Sequence, residues 1–261
     1  MEVKVNGLKV NYEIAGAGPW LTLSHSLACG LHMWDEQMDA LTKKYKVLRY
    51  DTRGHGRSEA PAGPYTLEQL ADDAHGLLKA LGIQSTHWAG LSMGGMIGQT
   101  FQLKSPGIFR SLTLADTTSR YPAEAAGTWA DRIATAQAKG MAAVVDGTLA
   151  RWFTEPYRKT NPPGVARVAA SIKNTPVAGF VGCCHAIPKI NVTQRLKEIK
   201  IPALVIVGEQ DPGTPVAMAR EIHEALPGSK LVVIPQAAHL SDRKSTRLNS
   251  SHVSESRMPS S

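Results

Sequence analysis

An α/β fold built on a mostly parallel sheet is predicted by three features of this 261-residue sequence. Short apolar runs alternate with helix-spaced segments, a glycine-flanked serine directly follows one run, and an acid and a histidine each follow a later one. Strands that alternate with helices connect by crossovers, which put helices on both faces of a parallel sheet.

The elements follow in order. Residues 1–5 alternate and enter a short strand at once, and further strands are predicted over 9–15, 20–24 and 46–50. A glycine-rich turn comes next, Arg53-Gly-His-Gly-Arg-Ser58. Thr66-Leu-Glu-Gln69 matches a capping box, and Leu67, Leu70, Ala71, Ala74, Leu77, Leu78 and Leu81 continue at helical spacing. The run Thr86-His87-Trp88-Ala89 leads into Gly90-Leu-Ser-Met-Gly94, a helix follows from Gly94 to Leu103, and another strand covers 111–115. From Ser119 to Val192 the strand pattern stops and short helical pieces rich in Ala, Arg and Trp replace it. Strands resume at 201–208 and 230–234. The domain plan is therefore a core of residues 1–118 and 193–241, with residues 119–192 inserted as a helical cap over the site.

A serine with glycines two residues before and after it fits a turn too sharp for side chains at those positions, with the hydroxyl raised above the sheet edge. Ser92 is the predicted nucleophile. A serine hydroxyl needs a base, and that base needs an orienting carboxylate. His239, after the strand at 230–234, is the predicted base, and Asp211, in the turn after 201–208, is the predicted acid. Asp116 and Glu209 also sit at strand ends and are the alternative acids. The order Ser, Asp, His, each on a loop after a strand, resembles that of the α/β-hydrolases. In such a site two backbone N–H groups stabilise the oxyanion, here assigned to Met93, after the nucleophile, and Leu27, on the loop after the strand at 20–24. In the cap, Trp129, Arg132, Arg151 and Trp152 are the predicted substrate contacts, since a guanidinium beside an indole seats a carboxylate.

Composition narrows the function. Apolar residues make up 43% of the chain, ordinary for a globular protein, and no apolar run approaches the length of a bilayer span. The sequence opens on a strand where a signal peptide would stand, so a cytoplasmic enzyme is expected. The net charge of +7 comes from scattered single Lys and Arg residues, which argues for a solvated surface and against a nucleic-acid partner. Cys29 and the adjacent Cys183 and Cys184 suit a reducing compartment and lack the His and Cys spacing of a zinc site, so neither metal nor cofactor is expected. The oligomeric state is not legible.

Residues 48–58 (Leu-Arg-Tyr-Asp-Thr-Arg-Gly-His-Gly-Arg-Ser), 60–65 (Ala-Pro-Ala-Gly-Pro-Tyr), 90–95 (Gly-Leu-Ser-Met-Gly-Gly) and 151–154 (Arg-Trp-Phe-Thr) together resemble the 3-oxoadipate enol-lactonases of bacterial aromatic-ring degradation. The likeness runs from Val3 to Ser241. It implies hydrolysis of a cyclic enol ester bearing a carboxylate, through an acyl-serine and without a cofactor. Two departures concern the substrate: His25 stands where such enzymes tend to carry asparagine, and Gly182-Cys-Cys-His185 is foreign to their cap. The same constellation also serves small-ester carboxylesterases, carbon–carbon bond hydrolases and perhydrolases, and a receptor can retain the triad for ligand capture.

After Ser241 the sequence leaves the family pattern. Asp242-Arg-Lys-Ser-Thr-Arg-Leu-Asn-Ser-Ser-His252 has no amphipathic period and reads like a translated sequencing adapter, so residues 242–261 are expected to be a non-native tail, poorly ordered after about residue 243. Without the family's final helix, an open apolar patch is expected beside the last strand, and restoring such a helix should raise the melting temperature.

Overall fold

The computed structural model describes residues 1–160 and 162–241, so the expectations placed on residues 242–261 lie outside the described residues. The chain forms β1 (Glu2–Val5), β2 (Leu8–Ala15), β3 (Trp20–Ser24), α1 (Asp35–Leu41), β4 (Lys46–Tyr50), α2 (Leu67–Ala80), β5 (Thr86–Leu91), α3 (Met93–Lys104) and β6 (Phe109–Ala115) in turn. Five helices follow: α4 (Ala125–Lys139), α5 (Val145–Trp152), α6 (Glu155–Lys159), α7 (Pro163–Asn174) and α8 (Val177–Ala186). The chain then returns to the sheet through β7 (Ala203–Gly208), α9 (Val216–Ala225) and β8 (Lys230–Ile234).

These strands make one eight-stranded sheet in the order β1-β2-β4-β3-β5-β6-β7-β8. The β1–β2 and β2–β4 pairs are antiparallel and all the others parallel. One edge therefore collects the C-terminal ends of β3 through β8, where open α/β sheets bind their ligands. The capping prediction is realised at α2, where the Thr66 hydroxyl accepts the Gln69 N–H at 3.1 Å. Inside, Trp88 of β5 is fully buried, stacked on Phe109 at 4.9 Å and meeting Phe101 of α3 edge-on. Burying a side chain such as Phe101 stabilises the fold by roughly 1.5–3 kcal/mol.

Helix α3 lies on the Trp88 face of the sheet, whose indole N–H donates to the Gly94 carbonyl. The opposite face carries Leu23 and Arg49 side by side, and Arg49 pairs with Asp35 of α1 and with Glu13. Toward β8 this second face thins: Leu204, Ile206 and Ile234 are only half-buried, and Val232 is 40% exposed. Among the described residues no helix is long and apolar enough to cross a membrane.

Helix α8 is held against the loop after β4 by contact between two backbones. A methyl group on Gly179 would overlap the Gly54 carbonyl, one on Gly182 would strike the Tyr65 ring, and the Tyr65 N–H donates to the Gly182 carbonyl at 3.1 Å. Backbone cannot swing aside as a side chain does, so Gly179→Ala is expected to cost about 1–3 kcal/mol of stability. Urea unfolding reads this directly, and an unchanged midpoint would contradict the contact.

Candidate active site

Ser92 occupies the hinge between β5 and α3 with φ 56 and ψ −114, a conformation that side-chain-bearing residues rarely adopt. Its flanking glycines make the hinge possible, since a Cβ on Gly90 would overlap the Gly94 backbone and one on Gly94 would overlap the Ser24 carbonyl. The hinge is fastened on both sides: the Ser92 N–H donates to the Ala115 carbonyl at 2.8 Å, and the Thr117 hydroxyl donates to the Ser92 carbonyl at 2.7 Å.

The loops after β7 and β8 bring an acid and an imidazole to the same point. His239 Nε2 lies 2.9 Å from Ser92 Oγ, and His239 Nδ1 lies 2.7 Å from Asp211 Oδ2. An ionised carboxylate can only accept, so Nδ1 carries the proton and Nε2 presents its lone pair to the serine hydroxyl. Asp211 is held by the N–H groups of Gly213 at 2.8 Å and Thr214 at 3.1 Å on Oδ1, and by the Thr214 hydroxyl at 2.6 Å on Oδ2. The two loops are themselves joined, since the Gln210 N–H donates to the Ala237 carbonyl at 2.8 Å.

Charge and burial oppose each other here. Burial alone would push the Asp211 carboxyl up, but the His239 charge and its hydrogen bond, with those of Thr214, leave it below the ordinary range. For His239, burial acts to lower the pKa and is outweighed by the charge and hydrogen bond of Asp211 and the charge of Asp116, so it ends above 6.5. An imidazole poised in this way suits a general base near neutral pH.

Asp116 does not reach the imidazole. It accepts the Gly208 N–H at 2.8 Å on one oxygen, and on the other the N–H of Ser241 at 3.2 Å and the Ser241 hydroxyl. The carboxylate thus ties the end of β7, just before Asp211, to the segment just after His239. Burial raises its pKa to about 7. Glu209 is spent on the Gln236 N–H at 3.0 Å.

A cavity of about 340 Å³ opens on Ser92 and His239 and is lined by Leu27 and by all four of the residues singled out above in the inserted segment, Trp129, Arg132, Arg151 and Trp152. Among the described residues the Leu27 N–H makes no hydrogen bond. Met93 opens α3, so its N–H has no partner within the helix. The Arg132 guanidinium lies over the Trp129 ring at 4.6 Å and near Phe180 at 5.5 Å, and its Nε is buried with no partner. Among the described residues Arg132 makes no ion pair, and burial lowers its pKa. Trp152 packs 6.0 Å from the His239 ring, and its carbonyl accepts the Leu240 N–H at 3.2 Å, joining the inserted helices to the histidine loop.

Sequence reasoning missed two contributors and the structural role of a third residue, Asp116, which it had weighed only as an alternative acid. Thr214 buttresses Asp211, Tyr121 lines the cavity edge-on to Trp129 at 5.8 Å, and Asp116 ties two loops together. A threonine shortly after the acid was the only local signal for any of them.

The fold and this arrangement define a class. The pattern of the alpha/beta hydrolase fold family matches residues 19–241, and the chain belongs to that family. More particularly, it is 34% identical over 235 residues to 3-oxoadipate enol-lactonase 2 of Acinetobacter baylyi, covering 89% of this chain and 87% of that protein. Among solved structures it resembles the enol-lactonase from Burkholderia xenovorans LB400, with a TM-score of 0.89 and 38% identity over 93% of this chain and 94% of the other. A thermophilic esterase from Thermogutta terrifontis, solved with malate bound, aligns at a TM-score of 0.87 and 27% identity over 92% of each chain.

Proposed function

We propose that this protein hydrolyses a carboxylic ester or lactone through an acyl-Ser92 intermediate, and that the substrate it fits best is a carboxylate-bearing enol-lactone, 3-oxoadipate enol-lactone. The observation that carries the reading is the unbroken hydrogen-bonded chain from Ser92 Oγ through His239 to Asp211, at 2.9 and 2.7 Å. Ser92 Oγ attacks the ester carbonyl as His239 Nε2 takes its proton, and the oxyanion is held by the N–H groups of Leu27 and Met93. His239 returns the proton to the leaving oxygen, which in a lactone stays tethered to the acyl group. The same imidazole then deprotonates water for deacylation while Asp211 stabilises its cation.

The carboxylate preference rests on Arg132. A half-buried guanidinium whose Nε is cut off from solvent and which has no counter-ion among the described residues is costly, and an anionic ligand in the cavity removes that cost. The enol-lactonase relatives and the malate bound to the Thermogutta esterase accord with this. Helices α4 to α8 then act as a cap, with residues 119–192 supplying the carboxylate seat and residues 1–118 and 193–241 the catalytic core.

Steady-state turnover of 3-oxoadipate enol-lactone against p-nitrophenyl acetate tests the reading. The lactone should exceed the simple ester in kcat/KM by about 10²-fold or more. Arg132→Met should raise KM for the lactone by about 10- to 10²-fold, the worth of a charge-assisted hydrogen bond, and leave KM for the neutral ester nearly unchanged. Equal kcat/KM for both substrates would replace the enol-lactonase reading with a broad small-ester carboxylesterase.

A further inference from the structure

Two histidines outside the Ser92–His239–Asp211 chain meet beneath the loop that carries Leu27. His25 follows β3 and His55 lies in the turn after β4; both are fully buried, with ring centroids 5.3 Å apart. Each accepts a backbone N–H from the other's segment. The Thr52 N–H donates to His25 Nε2 at 2.9 Å, and the Ala28 N–H donates to His55 Nε2 at 3.0 Å. A backbone N–H only donates, so both Nε2 atoms are lone pairs and the protons sit on Nδ1. Those protons are used as well, His25 Nδ1–H donating to the Ser26 carbonyl at 2.7 Å and His55 Nδ1–H to the Arg53 carbonyl at 3.1 Å. Every ring nitrogen therefore has a partner only while both imidazoles are neutral. Burial favours that state, lowering the His25 pKa against the pull of Asp51 and, with the neighbouring His25, taking His55 to about 3.

The anchored peptide matters to the chemistry. Ala28 has φ 58, a left-handed conformation unusual for a residue with a side chain. The N–H that His55 holds belongs to the peptide joining Leu27 to Ala28, so releasing it frees the loop immediately beside the Leu27 N–H. We propose that His25 and His55 are positioning residues, a reciprocal clasp between the loops after β3 and β4 that aims the Leu27 N–H at the oxyanion. This rests on the reading of Ser92 as the nucleophile.

Matched substitutions test the clasp. Glutamine places an amide oxygen about where Nε2 lies and can still accept the Ala28 N–H, whereas asparagine stops at the level of Nδ1 and cannot. His55→Asn should lower kcat for p-nitrophenyl acetate by about 10²-fold with KM within about threefold, as for loss of an oxyanion donor. It should weaken inhibition by phenylboronic acid, whose tetrahedral serine adduct fills the oxyanion site, by a similar factor. His55→Gln should recover kcat at least about tenfold over His55→Asn, because it keeps the acceptor. Equal kcat per folded molecule in wild type and His55→Asn would overturn the clasp, as would equal losses in the two variants with phenylboronic acid affinity unchanged. If the His55 variants do not fold, His25→Gln and His25→Asn, which keep and release the Thr52 N–H, decide by the same criteria. Turnover that survives Ser92→Ala would overturn the underlying reading and the clasp with it. Ser92-dependent turnover that is indifferent to the histidine pairs overturns the clasp alone.

Discussion

Replacing Ser92, the proposed nucleophile, with alanine is expected to lower kcat by about 10⁶-fold, since removing the nucleophile of a serine, histidine and carboxylate unit disables the whole unit. The fold should survive. Alanine has the same Cβ as serine, so it meets the same cost at φ 56, and both backbone anchors, to the Ala115 carbonyl and from the Thr117 hydroxyl, remain. The single hydrogen bond lost is the one to His239 Nε2. Melting temperature measured beside kcat separates the two effects. A large fall in stability would show that the hydroxyl supports the hinge, and retained turnover would remove Ser92 from the chemistry.

Asp211→Asn is expected to cost about 10⁴-fold in kcat, through the tautomer of His239. In the native protein Asp211 Oδ1 accepts two backbone N–H groups, from Gly213 and Thr214. An asparagine oxygen will keep that position, which turns the amide NH₂ toward His239 Nδ1. Nδ1 must then accept, the ring proton moves to Nε2, and the lone pair that Ser92 requires is gone. The pH profile gives a second signature. Asp211 is the leading contributor holding the His239 pKa above 6.5 against burial, so the acid limb of kcat/KM in the native enzyme should lie above that value. Removing the charge lets burial dominate, and the residual acid limb should move to lower pH. Near-normal activity would transfer the orienting role to Asp116, although that carboxylate is committed to Gly208 and Ser241.

Much of this arrangement is legible in the sequence because it is local. The glycines around Ser92, the capping threonine before α2, and an acid and a histidine placed after apolar runs each report a turn whose geometry a few neighbours determine. Element ends are less legible where the ladder extends beyond the apolar run. β6 begins at Phe109, two residues before its predicted start, and α3 begins at Met93, one residue before its predicted start. β7 begins at Ala203, after Pro202, whose carbonyl still takes the Leu112 N–H. What sequence does not show is pairing across long separations. Asp116 and Ser241 lie 125 residues apart, and nothing near either residue reports the other. His25 and His55 read as isolated histidines until the β3 and β4 loops are brought side by side. Arg132 and Trp129 were legible as a cation beside an indole, but that Arg132 has no counter-ion among the described residues emerges only from the packed cavity.

The central claim is that Ser92 Oγ is the atom that becomes acylated. Treating the protein with diisopropyl fluorophosphate and locating the adduct by peptide mass spectrometry tests this most directly. The account predicts one phosphoryl group per chain, on Ser92, with loss of esterase activity in proportion to labelling. An unmodified Ser92 peptide in inactivated enzyme, or full activity in a chain labelled at Ser92, would contradict it.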